Sequence, residues 1–132
     1  MLLVDTNVLV DVLEDDPQWA EWSITQLRAQ SQIHDLLINP VIYAELSLTC
    51  SKVEALDDAV NGMGLVLCEI SRPALFLAGK AFAHYRRKGG KKQNVLADFF
   101  VGAQAAVLGC PILTRDAARY RTYFPSVSLI VP

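Results

Sequence analysis

Short apolar runs without polar alternation recur along the chain, separated by longer segments in which apolar residues have helical spacing. Such runs are typical of strands that are buried on both faces, and these occur in parallel sheets whose connections are helices. Five runs have this character: residues 2–5, 35–39, 65–70, 110–114 and 127–131. The pattern predicts an α/β fold, a three-layer α/β/α sandwich with a central parallel sheet. The length of 132 residues predicts a single domain over residues 1–132.

Segments with helical spacing lie between these runs and cover residues 6–13, 18–31, 40–50, 51–63, 72–88, 95–108 and 116–124. Asn39 followed by Pro40 is typical of a helix start, because asparagine is a good N-cap and proline fits the first helical position. Trp19, Trp22 and Leu27 are expected on the apolar side of the second helix.

The composition indicates a folded, soluble protein. With 52% hydrophobic and 20% charged residues, the chain is too apolar to be disordered. The formal net charge of −2 predicts no general attraction to nucleic acid, so such contacts would depend on local clusters of Lys and Arg. The longest uncharged run, residues 99–114, is too short to span a membrane, and no signal peptide is expected. Three scattered cysteines predict buried free thiols in a reducing, cytoplasmic compartment.

Four acidic side chains interrupt otherwise apolar sequence. Asp5 ends the first predicted strand, and Asp116 lies two residues past the fourth. Glu45 lies in the helix after the second strand, and Asp98 lies near the start of the helix that leads into the fourth. In an open parallel sheet, ligands bind outside the carboxyl ends of the strands. We therefore expect Asp5, Glu45 and Asp116 near one edge of the sheet.

Carboxylates that share a partly desolvated pocket raise one another's pKa, which is unfavourable. A divalent cation removes that penalty, and ligation by oxygen alone favours Mg²⁺ or Mn²⁺ over zinc. Neither His34 nor His84 has metal-ligand spacing to an acid or a cysteine. Such a site can activate water and stabilise the charge that develops on a phosphodiester during in-line displacement.

Each acid also has a purely structural interpretation. Asp5 and Asp116 could cap the helices that follow them, and Asp98 could interact favourably with a helix dipole. Glu45 is harder to explain in this way, because a glutamate inside an apolar helical face needs a partner. One shared site accounts for all four acids with a single assumption.

The motifs that carry these acids resemble the PIN domain, and more narrowly the VapC-like ribonuclease toxins of bacterial type II toxin–antitoxin modules. They are DTNVLVD (5–11), PVIYAEL (40–46), VLADFFVGAQA (95–105) and ILTRDAARYRTYFP (112–125), and the resemblance covers essentially the whole chain. It implies a compact α/β/α fold and an acidic pocket that holds Mg²⁺ or Mn²⁺. It also implies endonucleolytic cleavage of structured RNA, transfer RNA or ribosomal RNA, by which such a toxin inhibits translation and growth.

The resemblance also assigns roles by position. Asp5, Glu45, Asp98 and Asp116 match the family's acidic quartet and are implied to be catalytic, and Asp5, Asp98 and Asp116 are implied to bind the metal. Asn7 and Thr114 match polar positions that orient the acids or the metal-bound water. The implied partners are RNA, a cognate antitoxin and a second copy of the chain, in a homodimer within a larger complex. Close relatives often have Pro at the position of Ala97 and His at that of Gln104.

A basic tract, defined here as Arg86, Arg87, Lys88, Lys91 and Lys92, surrounds two glycines after the fifth predicted helix. One interpretation is a phosphate-binding loop beside the metal. The other is a helix C-cap, with basic residues that favour the helix dipole and glycine as the stop. Arg115 also has two interpretations, a phosphate clamp at the pocket rim or a structural salt bridge to an acid.

Two functions without cleavage are alternatives to a nuclease. A phosphoacceptor receiver domain also binds Mg²⁺, but it needs paired acids after the first strand and a lysine after a late strand, and the sequence has neither. A PIN domain that binds RNA or a partner without cutting is the second alternative. The intact set of four acids argues against it.

Overall fold

The computed structural model describes residues 1–92 and 95–132. Its strands are β1 (Leu2–Val4), β2 (Leu36–Ile38), β3 (Leu65–Leu67), β4 (Ile112–Leu113) and β5 (Leu129–Ile130). Its helices are α1 (Thr6–Leu13), α2 (Ala20–Ser31), α3 (Pro40–Leu46), α4 (Val53–Gly62), α5 (Arg72–Arg87), α6 (Leu96–Leu108) and α7 (Ala118–Tyr123), and a short 3₁₀ helix covers Ser47–Thr49.

The five strands form one sheet in the order β3-β2-β1-β4-β5, and all pairs are parallel. Helices lie on both faces, so the predicted three-layer α/β/α sandwich is confirmed. Strand β1 is central, and it pairs with β2 on one side and β4 on the other. The strand order reverses between β1 and β4, and in open α/β sheets this is the point where ligands bind.

Burial is greatest in the centre of the sheet and falls towards both edges, since the two residues of β5 are only partly buried. All three residues of β1 and both residues of β4 are fully buried, which explains why these runs show no polar alternation. At the edge strand β3, Val66 and Leu67 are about half exposed, 53% and 52%. The sheet is therefore covered on both faces at its centre and less completely at its edge strands.

The strands are shorter than the apolar runs predicted, because some flanking residues cap helices. Asp5 and Asn39 are the N-caps of α1 and α3, and their side chains accept hydrogen bonds from the backbone N–H groups of Thr6 and Ile42, both at 2.8 Å. Helix α2 begins later than predicted, at Ala20, because the Asp16 carboxylate accepts two backbone hydrogen bonds in the turn before it.

The cysteines are free thiols, as expected, but their burial differs. Cys110 is buried, whereas Cys50 and Cys68 are partly exposed, so the prediction of buried thiols holds only for Cys110.

Among the described residues, no helix is both long enough and apolar enough to cross a bilayer.

Candidate active site

Asp5 lies at the carboxyl end of the central strand, where it is held by the neighbouring strand β4. Val4 is in register with Leu113, and the backbone N–H of Asp5 donates to the Leu113 carbonyl oxygen at 2.9 Å. The next residue after Leu113 is Thr114, so parallel pairing places Thr114 beside Asp5. The Asp5 side chain is only 5% exposed.

Three hydroxyl or amide groups orient the Asp5 carboxylate. Its Oδ2 atom accepts hydrogen bonds from the Tyr120 hydroxyl at 2.8 Å and the Thr114 hydroxyl at 2.9 Å, with Asn7 Nδ2 at 3.4 Å. Asn7 Nδ2 also donates to Thr114 Oγ1 at 3.2 Å, and its Oδ1 accepts from the backbone N–H of Arg115 at 3.0 Å. Asn7 thus ties the start of α1 to the loop after β4.

The charged form of Asp5 is energetically unfavourable in the folded protein. Burial, and secondly the negative charge of Asp98, raise the pKa of the Asp5 carboxyl from 3.8 to about 6, although the hydrogen bonds from Tyr120, Thr114 and Thr6 lower it. Removal from water also raises the pKa of the Tyr120 hydroxyl, with the charges of Asp5 and Asp98 as further causes. Tyr120 therefore remains a neutral donor to Asp5 at neutral pH.

Glu45 reaches the same pocket from α3. Its Oε1 atom accepts a hydrogen bond from the Thr6 hydroxyl at 2.6 Å. Thr6 is the first residue of α1 and follows Asp5 directly, so this contact brings the α3 acid next to the end of β1. The partner that a glutamate in this helix needs is the Thr6 hydroxyl.

Asp98 lies in the first turn of α6 and is paired with an arginine from α7. Its Oδ2 atom accepts a hydrogen bond from Arg119 Nη1 at 2.8 Å, and the Asp98 side chain is 29% exposed. Burial raises the pKa of the Asp98 carboxyl, Arg119 lowers it, and the charge of Asp116 raises it further. Two carboxylates, Asp5 and Asp116, thus lie close enough to Asp98 to interact electrostatically with it.

Asp116 is exposed and lies just outside the pocket that the other acids share. Its backbone N–H donates to Thr114 Oγ1 at 3.1 Å, and its Oδ1 atom accepts from the backbone N–H of Ala118 at 3.4 Å. The latter contact is long and matches the helix-capping interpretation only weakly.

An open pocket of about 320 Å³ gathers three of the four predicted acids. It is lined by Asp5, Thr6, Asn7, Val10, Glu45, Asp98 and Arg115, and we call it the acid pocket. Asp116 lines a neighbouring cleft instead. In the part of the chain that the structure describes, no three acidic, histidine or cysteine side chains are arranged to hold a metal ion. In this structure one oxygen of the Asp98 carboxylate, Oδ2, is bonded to Arg119.

The donor set nevertheless fits a hard divalent cation. The pocket and its rim offer carboxylate and hydroxyl oxygens, which suit Mg²⁺ or Mn²⁺ and not a soft metal. The raised pKa of Asp5 shows that a positive charge placed here would relieve an existing electrostatic cost.

Arg115 is engaged in a salt bridge in this structure. Its guanidinium donates to both oxygens of Asp11, from Nε at 2.6 Å and from Nη2 at 2.9 Å, and it lies over the Trp19 ring at 5.1 Å. Asp11 is only 2% exposed and also accepts from the Ser23 hydroxyl. The structural interpretation of Arg115 is thus the one observed, but its partner is Asp11 and not one of the four predicted acids.

The basic tract shows the features of a helix end. Arg86 and Arg87 lie in the last turn of α5, Lys88 is its C-cap, and Gly89 has a φ of 88°, a left-handed conformation that favours glycine. All five cations of the tract are exposed. The cap interpretation therefore describes the backbone, while the side chains remain available for another role.

Four residues of the site were missed by sequence reasoning: Thr6, Asp11, Arg119 and Tyr120. Thr6 and Asp11 stand in the motif DTNVLVD that starts at Asp5, and Tyr120 stands in an apparent apolar face of a short helix. The sequence around the acids does not indicate which side chains contact them. Gln104 has a structural role, because it accepts from Asn39 at 2.9 Å and donates to the Glu69 carbonyl at 3.0 Å.

Comparison with known proteins identifies the fold. The family model of the PIN domain matches residues 2–125. A chain of VapBC2 from Rickettsia felis, solved bound to a DNA fragment from its promoter, is 17% identical with a TM-score of 0.74, covering 98% of this chain and 97% of that chain. VapBC-1 from nontypeable Haemophilus influenzae is 14% identical with a TM-score of 0.71, covering 98% and 96%. A toxin–antitoxin complex from Klebsiella pneumoniae is 19% identical with a TM-score of 0.67, covering 96% and 95%. No curated protein matches the sequence significantly.

The raised pKa of Asp5 predicts a pH-dependent loss of stability. The folded state binds the Asp5 proton more tightly than the unfolded chain does. The resulting stabilisation of the folded state is fully present below about pH 4 and is lost as pH rises through about 6. In chelator, the free energy of unfolding should fall over this range by up to about 3 kcal/mol more in the wild type than in Asp5→Asn. Urea unfolding at several pH values measures this difference.

The exposed Asp58 on α4 provides the matched control. Asp58→Asn should follow the wild-type pH profile. Parallel profiles for the wild type and Asp5→Asn would contradict the assignment of a destabilising charge to Asp5.

Proposed function

The chain belongs to the PIN domain family, and from that membership and its acid pocket we propose that it is a Mg²⁺- or Mn²⁺-dependent endoribonuclease. PIN domains are generally nucleases. The proposed substrate is structured RNA, transfer RNA or ribosomal RNA. The proposed role is that of the toxin in a toxin–antitoxin pair, which inhibits translation and growth in the cytoplasm.

The observation that carries the proposal is the buried carboxylate of Asp5. It ends the central strand at the point where the strand order reverses, and burial together with Asp98 raises its pKa to about 6. An N-cap at a buried position needs no charge, since asparagine caps as well as aspartate and the fully buried Asn39 caps α3 in this way. A costly charge at the ligand-binding edge of a parallel sheet favours a functional site over a purely structural one.

Asp5, Asp98 and Asp116 would hold the metal ion, after Asp98 has released Arg119. When bound, a divalent cation at this position supplies an activated water and neutralises charge that develops on the phosphodiester. The residues of the chain have separate tasks. Tyr120, Thr114 and Asn7 hold the Asp5 carboxylate in one orientation. Thr6 holds Glu45 in the same pocket, where Glu45 can accept a proton from the attacking water.

The position of Asp116 supports its inclusion among the metal ligands although it does not line the acid pocket. Its charge interacts with Asp98, and its backbone is anchored to the same Thr114 hydroxyl that orients Asp5. Its exposed side chain can therefore turn towards Asp98 without any movement of the strand β4.

The proposed antitoxin would bind in an apolar groove that shares helix α1 with the acid pocket. This groove, about 400 Å³ in volume, lies between α1, α2 and the end of α4, and is lined by Val12, Ile24, Leu27, Arg28, Ser31, Gly62 and Met63. Helix α1 contributes to both sites, since Val10 lines the acid pocket and Val12 lines the groove. Residues two apart on a helix do not face each other, so a partner segment would pass around α1 to lay apolar residues in the groove and place an Arg or Lys among the acids.

Purification from the native host should recover this partner. If the chain purifies alone and its expression is harmless, the proposed antitoxin is contradicted.

A homodimer within the larger complex is also proposed. Leu75 and Phe76 on α5 are large apolar residues left exposed, 43% and 69%, and they offer a surface for it.

The basic tract and Arg115 are proposed to contact RNA phosphates. Replacing Arg86, Arg87, Lys88, Lys91 and Lys92 with Gln should weaken RNA binding and flatten its salt dependence, by about 0.7 to 0.9 in the log–log slope for each phosphate that is no longer neutralised. The affinity for Mn²⁺ should be unchanged, because these cations are exposed and do not line the acid pocket. Binding isotherms at several salt concentrations measure the slope.

Exposed cations elsewhere provide the control for the tract. Replacing Lys52 and Arg72 with Gln should leave the slope unaltered. If the five-residue variant also retains the wild-type slope, the helix cap is the only role of the tract.

Asp98→Asn tests the metal site together with the reaction. Mn²⁺ at about 100 times its dissociation constant should stabilise the wild type by about 2.7 kcal/mol, which raises the melting temperature by a few degrees. The variant should respond much less, because it lacks one ligand, and it should not cleave RNA. Melting curves and incubation with total RNA, each with metal and with chelator, measure both effects.

Asp58→Asn is again the matched control and should respond to metal and cleave RNA like the wild type. A wild type that is indifferent to metal and leaves RNA intact would overturn the proposed function. Stabilisation by metal without cleavage would favour a binding module of the same fold.

A further inference from the structure

A second open cleft lies beside the acid pocket and has a different chemical character. It has a volume of about 270 Å³ and is lined by Tyr85, Asp116, Ala118, Arg119, Thr122 and Tyr123. We call it the aromatic cleft. Two tyrosine rings form part of its wall, while a carboxylate and a guanidinium form the side that faces the acids.

The tyrosine rings are held in place from behind. Tyr85 and Tyr123 lie edge to face at 6.0 Å, and both rings contact the buried ring of Phe99, at 5.5 and 5.2 Å between centroids. Both tyrosines are half-buried. Aromatic packing in a protein interior would account for rings that are fully enclosed, but these two also face an open, polar-sided cleft.

Arg119 links this cleft to the acid pocket. Its Nη1 atom donates to Asp98 at 2.8 Å, and its guanidinium lies over the Tyr85 ring at 5.6 Å. The aromatic cleft is therefore separated from Asp98 by one side chain. A group bound in the cleft would lie next to whatever is bound at Asp98.

The basic tract folds back over the same tyrosine. The backbone N–H of Gly90 donates to the Tyr85 carbonyl at 3.0 Å, and the backbone N–H of Lys92 donates to the Tyr85 hydroxyl at 3.3 Å. A Cβ atom at Gly90 would lie 2.3 Å from the Tyr85 ring, so the backbone passes directly against it. Positive charge from the tract thus lies beside the aromatic cleft.

We propose that the aromatic cleft binds one unpaired nucleobase of the RNA, adjacent to the phosphate that lies at the acids. The proposal rests on the proposed function and adds a substrate subsite to it. Proteins that select RNA sites do so largely through unpaired bases, which stack on aromatic rings and on arginine guanidinium planes. Here the Tyr123 ring and the Arg119 guanidinium supply such surfaces, the Tyr85 ring contacts both of them, and the tract supplies charge for the flanking phosphates.

Binding of stem–loop RNAs in chelator tests the cleft separately from cleavage. In each RNA, 2-aminopurine replaces one loop base, and the set varies the bases that flank it. Stacking quenches the fluorescence of this base, so the wild type should quench it at one or two neighbouring loop positions. Because chelator withholds the metal, the measurement does not depend on catalysis.

Two variants alter the cleft in opposite ways. Tyr123→Ala removes a ring, and Ala118→Leu fills the cleft from an exposed position at the start of α7 without removing any packing. Both should abolish quenching and weaken binding of the quenched RNA about 5- to 150-fold, the range expected for one stacked base. Tyr123→Phe, which keeps the ring, should behave like the wild type.

Ala29→Leu, at an exposed position on α2 that lines neither cleft nor groove, is the control for Ala118→Leu and should leave quenching intact. Quenching that persists in Ala118→Leu, or its absence from the wild type with every RNA of the set, would overturn the proposal. Cleavage without cleft-dependent quenching would support the proposed function and contradict the nucleobase site. Cleft-dependent quenching without cleavage would support the nucleobase site and contradict the proposed reaction.

Discussion

The parallel pairing of β1 with β4 is the interaction on which the candidate site depends. The register of Val4 with Leu113 places Asp5 and Thr114 side by side, although they are far apart in the sequence. From these two positions hydrogen bonds reach Asn7, Tyr120 and the backbone of Asp116. Since the strand order reverses between β1 and β4, this is the point at which an open α/β sheet has a crevice for ligands.

Hydrogen bonds fix the acids of the site in positions where their negative charges are unfavourable. Asp5 is desolvated and faces the charge of Asp98, and hydrogen bonds from Tyr120, Thr114 and Thr6 offset only part of that cost, as the raised pKa of Asp5 shows. Arg119 balances Asp98 with an internal positive charge. An exchange of Arg119 for a divalent metal ion would replace one positive charge by two, which offsets more of the repulsion among Asp5, Asp98 and Asp116, and it would free a guanidinium beside the aromatic cleft. The proposed metal site and the proposed nucleobase site would then change together.

Local patterns predicted the fold and the acids, whereas contacts between distant segments could not be predicted. The runs at β1 and β4, the Asn39 cap and the acids at strand ends are visible within a few residues of sequence. The partners of the acids are not, because Tyr120 meets Asp5 only after the sheet has formed, and Arg119 meets Asp98 only when α7 packs on α6. Arg115 had two interpretations for the same reason. Its salt bridge to Asp11 spans 104 positions, and nothing near Arg115 in the sequence indicates that contact.

The most direct test of the account is a crystal structure with Mn²⁺, with the ion located by its anomalous scattering. The account predicts a peak among Asp5, Asp98 and Asp116, with the Arg119 guanidinium no longer bonded to Asp98. The hydrogen bonds from Thr114 and Tyr120 to Asp5 should be unchanged, because they are already formed without metal. A crystal saturated with Mn²⁺ that shows no peak at these acids, and Arg119 still paired with Asp98, would contradict the assignment of this edge of the sheet as a metal-dependent active site.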